Sequence, residues 1–388
     1  MTFMDEYQEE FAPINVQTMS SSEALNSEPM QRIREAMLRG ESVPGCGKCY
    51  KEESAFSGSS MRTFNNEHWG VEDYTDGKTQ LRFLEVAFGN YCNLSCRTCG
   101  SGLSTSWHDD DVQLKPHYPD REQVNPILDV AFNWKESDFD SVEEIKFTGG
   151  EPMLHPNFIK FLDVILSSGN ETHITLNIFT NASWIPKEKI LDRLKKFSAV
   201  KIWLSIDGVG DTQDYVRNGS NWAKVSQSAD IWCQAESDYP NTFAVILTPT
   251  INMYNVLNFT DTIEWWLELR QRYNLKIELP QKTGDIVMSI VHFPECLSIT
   301  NLPNKAEYIS KLRNYISSRE EHPLVNKCVN KVMALLKQTM DKPVDVSEFI
   351  KFTKDLDKLR KQDFRTSNPE LYQLIKSEFD STQGKIHD

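Results

Sequence analysis

Short strand-like runs alternate with helix-like runs through the middle of this chain. The strand-like runs, which carry apolar residues at several positions, occupy residues 81–88, 142–148, 172–180, 199–206, 243–249 and 275–279. Runs with helical spacing lie between them at residues 157–168, 187–197, 222–236 and 259–273. Strands that alternate with helices favour βα units and a parallel sheet. The pattern predicts an α/β fold with a partial (β/α)6 barrel over residues 81–285.

The two ends of the chain differ from this middle part. Residues 1–28 are polar, rich in Ser and Glu, and are expected to carry little structure. A helix is predicted over residues 30–40, where Gly40 ends it. After residue 285 the pattern becomes helical, at residues 305–318, 324–340, 346–364 and 369–379. We therefore expect small N-terminal and helical C-terminal extensions, with boundaries 1–28, 29–80, 81–285 and 286–388.

Three cysteines, Cys92, Cys96 and Cys99, follow the first predicted strand at CxxxCxxC spacing. Soft thiolate ligands in such a cluster select zinc, copper(I) or an iron-sulfur cluster. A structural zinc site takes four ligands, and no further Cys or His follows closely, so an open coordination position is expected. The alternative is that the three cysteines lie on one face of a buried helix. The polar residues between them are poor residues for a helix start.

A second motif, Gly149-Gly150-Glu151-Pro152, ends the second predicted strand. Glycines that lack a Cβ let a ligand approach the backbone closely. Taken alone, this motif is more often a tight turn than a binding site. Together with the upstream cysteines it becomes specific.

The two motifs together resemble those of the radical S-adenosylmethionine (SAM) enzymes. The resemblance implies that Cys92, Cys96 and Cys99 hold three irons of a four-iron four-sulfur cluster, whose fourth iron binds the methionine end of SAM. It also implies that the GGEP segment receives the SAM amino group. The implied reaction is reductive cleavage of SAM to methionine and a 5′-deoxyadenosyl radical that removes hydrogen from a substrate. Thr98 departs from the family, which often has an aromatic adenine contact there, so adenine packing is unassigned.

Further candidates lie at the ends of later strands, where the chemistry of such barrels is found. Asn181, Ser205 and Asp207 suit a ribose, and Arg217 suits the SAM carboxylate. Similar positions in the family serve these purposes. The alternatives are a turn and helix cap for Ser205 and Asp207 and a surface ion pair for Arg217.

An upstream pair, Cys46-Gly-Lys-Cys49, is followed by acidic residues and by Ser60-Met-Arg62. This order resembles a radical SAM subgroup with a truncated auxiliary-cluster module (SPASM/Twitch-like), found among phage and bacterial proteins. The alternative is a zinc knuckle, because CxxC alone is promiscuous.

The number and spacing of the cysteines predict that the second site is incomplete, because either the start of the chain has been lost or the site has degenerated. The alternative is a full second cluster. A cubane cluster is usually held by four thiolates, and residues 1–45 contain no cysteine. The remaining cysteines, Cys233, Cys296 and Cys328, are each isolated. We therefore expect labile or substoichiometric metal at Cys46 and Cys49.

Composition and charge limit the partners and the cellular compartment that are expected for this chain. The formal charge of the 388 residues is −14, which argues against a broad nucleic-acid surface. The mixed charges of residues 351–361 are predicted to form a solvated helix face, and the acidic run 109–111 is predicted to be a solvated cap or a helix end. Eight cysteines in metal-ligand rather than disulfide spacing fit a reducing compartment. The acidic N-terminus and the lack of a long apolar run predict a cytoplasmic protein without a membrane span.

The expected partners follow from the resemblance. Auxiliary-cluster modules in the family accompany peptide or protein substrates, so a peptide or protein is expected here, with a flavodoxin or ferredoxin as electron donor. A small-molecule substrate is the main rival. A non-catalytic iron-sulfur or zinc scaffold is the alternative outside the enzyme class.

Overall fold

A parallel sheet forms the centre of the computed structural model, which describes residues 19–55, 60–70, 79–127, 132–275, 285–318 and 323–386. Its strands are β1 (Phe83–Ala87), β2 (Glu144–Thr148), β3 (Thr175–Thr180), β4 (Ala199–Leu204) and β5 (Phe243–Leu247). They pair in chain order, and every pair is parallel. The predicted α/β class and parallel sheet are confirmed.

Helices connect and cover the strands. In the described residues they are α1 (Ser21–Leu25), α2 (Glu28–Leu38), α3 (Gly47–Ala55), α4 (Met61–Trp69), α5 (His108–Leu114), α6 (Pro156–Ser168), α7 (Glu188–Leu194), α8 (Asp211–Val216), α9 (Trp222–Asp238), α10 (Phe259–Arg272), α11 (Lys305–Ser317), α12 (Pro323–Gln338), α13 (Ser347–Arg360), α14 (Phe364–Ser367), α15 (Pro369–Leu374) and α16 (Lys376–Ser381). None of these helices combines the length and the apolar character needed to cross a bilayer.

The two faces of the sheet differ in burial. On one face, Phe147, Ile178 and Ile202 are fully buried. Phe147 packs edge-on against Phe158 and Phe161 of α6, at ring-centroid distances of 5.1 and 5.5 Å. Alternate residues of β1 to β4 on the other face stay partly exposed. This second face is the inside of the partial barrel.

The sheet continues beyond β5 through a short parallel segment rather than a full sixth strand. Leu247 bridges to Ile286, and β6 (Thr250–Ile251) pairs with β7 (Ser289–Ile290). Among the described residues, 286–291 therefore occupy the position next to β5. Residues 276–279 of the predicted sixth strand lie outside the described residues.

Helix α4 contacts the amino ends of β1 and β2. Trp69, which ends α4, packs against Phe83 at 6.2 Å between ring centroids. His68 Nε2 lies 3.7 Å from Glu144 Oε2 at the start of β2. Helix α1 falls in the segment predicted to be unstructured, because Ser20 and Glu23 form a capping box. Residues 1–18 lie outside the described residues.

Candidate functional site

The three clustered cysteines lie in an irregular loop after β1, at the carboxyl edge of the sheet. The alternative of a buried helix face is therefore wrong. Side chains from the following segment hold the loop by hydrogen bonds to the carbonyl of each cysteine. These bonds run from Thr105 Oγ1 to Cys92 (3.1 Å), from Trp107 Nε1 to Cys96 (2.8 Å) and from Arg121 Nη2 to Cys99 (3.2 Å).

Two N–H donors from other strand ends reach the cysteine sulfurs. Asn181 Nδ2, just after β3, donates to Cys92 Sγ at 3.7 Å. Arg217 Nη1, just after α8, donates to Cys96 Sγ at 3.8 Å. A cation and an amide donor both favour a thiolate over a thiol. The fold thus brings two of the predicted residues onto two of the predicted ligands.

Burial acts against ionisation of the same sulfurs in the metal-free protein. It raises the pKa of the Cys96 thiol to about 12, while Arg217 partly opposes this change. It also raises the pKa of Cys92 and of Cys99. Since thiolates are the metal-binding form, loading this site must release protons.

The donor set fits an iron-sulfur cluster. All three cysteines are free thiols, and soft sulfur ligands suit iron-sulfur clusters. Among the described residues, no three His, Cys, Asp or Glu side chains are grouped as ligands of one metal ion. An iron-sulfur cluster does not require such a group, because each cysteine would bind a different iron.

The glycines of GGEP pack directly on this loop. Gly149 has φ +99°, a conformation that favours glycine. A Cβ added to Gly150 would lie 2.0 Å from the Tyr91 carbonyl oxygen, and the Glu151 N–H donates to the same oxygen at 2.7 Å. The second strand end therefore touches the cysteine loop backbone to backbone, which only glycine permits.

The Glu151 side chain points into the protein rather than to solvent. Its carboxylate accepts from Thr180 Oγ1 at 2.9 Å and from the Asn181 N–H at 2.7 Å. It therefore ties GGEP to the end of β3, beside the Asn181 side chain that reaches Cys92. Pro152 is buried and begins a short 3₁₀ helix. Burial raises the pKa of Glu151 to about 7.

The raised pKa of Glu151 predicts a pH-dependent stability. Between its ordinary pKa of 4.5 and about 7, Glu151 stays protonated when folded but ionises when unfolded. The free energy of unfolding should therefore fall as pH rises through this window, by roughly 3 kcal/mol in total, and then level off. We expect Glu151→Gln to remove this fall. Urea unfolding of the metal-free protein across the window measures it.

Glu348 offers a matched control. Hydrogen bonding to Lys385 lowers its pKa below 4.5, so Glu348→Gln should leave the pH dependence above 4.5 as in wild type. Equal slopes for wild type and Glu151→Gln across the window would contradict the assignment.

Asp207 and Arg217 form an internal pair. Arg217 Nε lies 2.8 Å from Asp207 Oδ2, and the Asp207 side chain is fully buried. Asp207 Oδ1 also accepts from the Thr250 N–H at 2.7 Å. The alternatives of a surface ion pair for Arg217 and a helix cap for Asp207 are wrong, because α8 is preceded by Gly210 as its cap. Ser205 is half-buried, and its N–H donates to the Thr180 carbonyl at 2.8 Å.

Cys46 and Cys49 lie in a different part of the fold. Both are half-buried free thiols at the start of α3. The acid and the Ser-x-Arg that follow form a local contact, since Glu53 Oε1 accepts from Ser60 Oγ at 2.6 Å and from Arg62 Nε at 3.0 Å. Helix α4 then leads to the amino edge of the sheet, opposite the Cys92 loop. A metal at Cys46 and Cys49 stays a prediction.

Sequence reasoning missed the connections between the cysteine loop and the C-terminal helices. Asp110 pairs with Arg360 at 2.8 Å, and Asp111 pairs with Arg121 at 2.7 Å. Asp111 and Arg360 are almost completely buried, so the prediction of solvated charges is wrong for these two. All three aspartates lie in the first turn of α5, as the helix-end alternative has it. The opposite charges of the acidic run and of the bases in residues 351–361 were the available signal.

The chain is similar to proteins of one superfamily. Residues 86–265 match the family model of the Radical SAM superfamily. The sporulation killing factor maturation protein SkfB of Bacillus subtilis is 30% identical over 176 residues, 45% of this chain and 37% of SkfB. The GTP 3′,8-cyclase of Moorella thermoacetica is 24% identical over 183 residues, 46% of this chain and 51% of the cyclase. The chain thus spans about half of one relative's length and about a third of the other's.

A solved structure of Streptococcus suis SuiB bound to S-adenosylmethionine is also similar. The likeness covers 78% of this chain and 64% of SuiB, with 13% identity and a TM-score of 0.38. The Radical SAM superfamily implies a four-iron four-sulfur cluster and SAM as cofactors.

Proposed function

We propose that residues 86–265, which match the Radical SAM family model, form a radical SAM domain, and that this protein is an enzyme that cleaves SAM reductively to remove hydrogen from a peptide or protein substrate. The observation that carries the proposal is the pair of N–H donors on cysteine sulfurs, from Asn181 to Cys92 and from Arg217 to Cys96. A non-catalytic protein that holds metal loosely would not require a buried cation such as Arg217 beside the Cys96 sulfur.

In this proposal Cys92, Cys96 and Cys99 hold the cluster, which when bound supplies the electron that splits SAM into methionine and a 5′-deoxyadenosyl radical. The chain's own residues bind the cluster and SAM, orient them and shield them from solvent. Arg217 and Asn181 stabilise the ligand thiolates. Gly149 and Gly150 keep the second strand end against the loop.

The remaining strand-end residues are proposed to hold SAM. Ser205, beside Asn181, lies at the open edge and is proposed to contact the ribose. Asp207 acts mainly through Arg217, whose Nε it binds. Glu151 and Pro152 fix the turn that presents the glycines to the SAM amino group. A flavodoxin or ferredoxin is the proposed electron donor.

The inner face of the sheet supplies a substrate-facing wall. Phe179 and Trp203 are half-buried and stacked, with ring centroids 5.1 Å apart and planes 12° from parallel. Each lies two residues before a strand-end candidate, Asn181 or Ser205, which is about 7 Å along a strand. Both therefore lie one layer beneath the proposed SAM site.

Charged groups flank this aromatic pair. Lys146 Nζ lies 5.5 Å from the Phe179 ring centroid and 3.3 Å from Glu85 Oε2. The Lys146 and Glu85 side chains are 32% and 40% exposed. An aromatic wall with both charges suits a peptide side chain and its backbone. The 30% identity to SkfB, a maturation protein by its name, supports a peptide substrate.

The reaction is tested with protein reconstituted without oxygen. We expect an oxygen-sensitive cluster by EPR and, after reduction, slow formation of 5′-deoxyadenosine from SAM by chromatography. Full cluster loading without any 5′-deoxyadenosine, even with added cell extract, would favour the scaffold. Extract is added as separate peptide and small-molecule fractions, since one relative is a GTP cyclase by name. Stimulation by the small-molecule fraction alone would contradict the peptide substrate.

Trp203→Ala should separate substrate binding from SAM cleavage. Loss of the stacking partner of Phe179 weakens a contact worth about 1 kcal/mol beyond buried area. We expect the slow cleavage without substrate to be unchanged and the stimulation by the peptide fraction to fall several-fold. Tyr239→Ala, at a 42% exposed aromatic outside the barrel, is the control. Equal stimulation of Trp203→Ala and wild type would exclude this wall as the substrate site.

A further inference from the structure

Arg97, between the second and third ligand cysteines, points away from the sulfurs. Its side chain is fully buried. The guanidinium donates to the Asp357 carboxylate, to Gln362 Oε1 at 2.7 Å and to the Tyr215 carbonyl at 3.1 Å. It also stacks 3.6 Å from the Tyr215 ring centroid. A residue in the middle of the ligand loop is thus anchored in the C-terminal region.

Asp357 is the centre of this anchor. It belongs to α13 and accepts from Tyr215 Oη at 2.8 Å and from the Phe364 N–H at 2.7 Å, besides Arg97. The guanidinium therefore meets a carboxylate that other donors already hold in place. Such preset, charge-assisted hydrogen bonds are the strong ones.

Other residues of α13 bind the segment that follows the loop. Arg360 donates to Asp110 Oδ2 at 2.8 Å and lies 4.4 Å from the centroid of Trp107, which itself binds the Cys96 carbonyl. Asp355 accepts from Tyr118 Oη at 2.7 Å. One helix thus contacts the ligand loop directly through Arg97 and indirectly through Trp107.

We propose that α13 clamps the ligand loop, and that Arg97 and Asp357 are positioning residues for the cluster ligands. The proposal rests on the proposed cluster at Cys92, Cys96 and Cys99. The loop has no regular secondary structure, so hydrogen bonds must fix the spacing of its sulfurs. Arg97 is the residue next to Cys96. A buried guanidinium without its carboxylate is an unpaired charge, which destabilises the folded arrangement, so Arg97 is expected to move when Asp357 is replaced. Loss of the pair therefore frees both neighbouring ligands.

The test uses the full chain, reconstituted without oxygen, as Arg97→Lys and Asp357→Asn. The readouts are the rate at which a ferrous-iron chelator strips the cluster and the hydrogen exchange of amides 93–99 in the metal-free protein. We expect iron release to accelerate about 10-fold or more, as for other groups that orient metal ligands. We also expect faster exchange in residues 93–99.

The control is a buried pair of the same chemistry elsewhere in the barrel. Arg270 of α10, only 2% exposed, binds Glu236 of α9. Glu236→Gln should lower the melting temperature by a similar amount and leave iron release unchanged. This separates positioning of the ligands from general stability.

The clamp is overturned if Arg97→Lys and Asp357→Asn lose iron at the wild-type rate while melting earlier, as Glu236→Gln does. Gln362→Ala removes a single acceptor of Arg97, so it tests the clamp even where the other variants fail to fold. An intermediate acceleration supports the clamp, and a wild-type rate overturns it. If wild type itself holds no cluster, the proposed function fails, whereas hydrogen exchange in residues 93–99 still decides the clamp.

Discussion

Replacing Cys92, Cys96 and Cys99 together with alanine will remove the oxygen-sensitive cluster and abolish 5′-deoxyadenosine formation. The three thiols are the proposed soft ligands of the loop, and N–H groups of Asn181 and Arg217 donate to two of them, Cys92 and Cys96. Iron and sulfide analysis with EPR measures the first loss, and chromatography the second. Iron that remains on this variant reports the separate site predicted at Cys46 and Cys49.

Three other cysteines provide the matched control. Cys233, Cys296 and Cys328 are free thiols in separate elements, so their joint replacement by alanine removes equal sulfur and should leave the cluster intact. A cubane EPR signal of wild-type intensity on the first triple variant would show that the ligands had been wrongly assigned. Retained metal at Cys46 that is stoichiometric and lost on Cys46→Ala would contradict the labile site.

Gly150→Ala should lose the cluster and SAM cleavage together. The added Cβ would lie 2.0 Å from the Tyr91 carbonyl oxygen and 2.5 Å from its carbon, distances that real contacts do not reach. Either GGEP or the cysteine loop must move, at a cost of about 1–3 kcal/mol. A displacement of about 1 Å at reacting groups can cost roughly 100-fold in rate. Cluster occupancy, melting temperature and 5′-deoxyadenosine formation measure the three effects.

Gly102 is the control for this substitution. A Cβ there would meet Val124 Cγ2 at 3.9 Å, an ordinary contact. Gly102→Ala should therefore keep cluster and activity. Full activity of Gly150→Ala would mean that the two motifs do not pack as the structure has them.

Local sequence patterns were sufficient to predict most strands and helices around the sheet. The strand-like runs 81–88, 142–148 and 199–206 predicted β1, β2 and β4, because successive side chains of a strand point to opposite faces of the sheet and only one of these faces is fully buried. The helical spacing of apolar residues in 157–168 and 222–236 likewise predicted α6 and α9. The sixth strand was harder to predict from the sequence, because the parallel segment at 286–291 is short and is joined to β5 by a single bridge.

Local patterns also predicted the candidate ligand set, since Cys92, Cys96 and Cys99 are close in the chain. They could not identify the partners of those ligands. Arg97 and Asp357 are 260 positions apart, and Asn181 and Cys92 are 89 apart. The same limit explains why charges of α13 were predicted to be solvated: the alternation of acids and bases looks alike on a free helix face and on a docked one.

The sequence by itself determined the parallel α/β architecture and the close spacing of the three candidate ligand cysteines, because periodicity and short spacing act within one segment of chain. The tertiary structure alone decided that Arg217 and Asn181 point at sulfur, that Glu151 closes on β3, and that α13 holds the ligand loop through Arg97. The physical reason is that burial and pairing of a charge depend on which distant segments the fold brings together, and no local pattern records that.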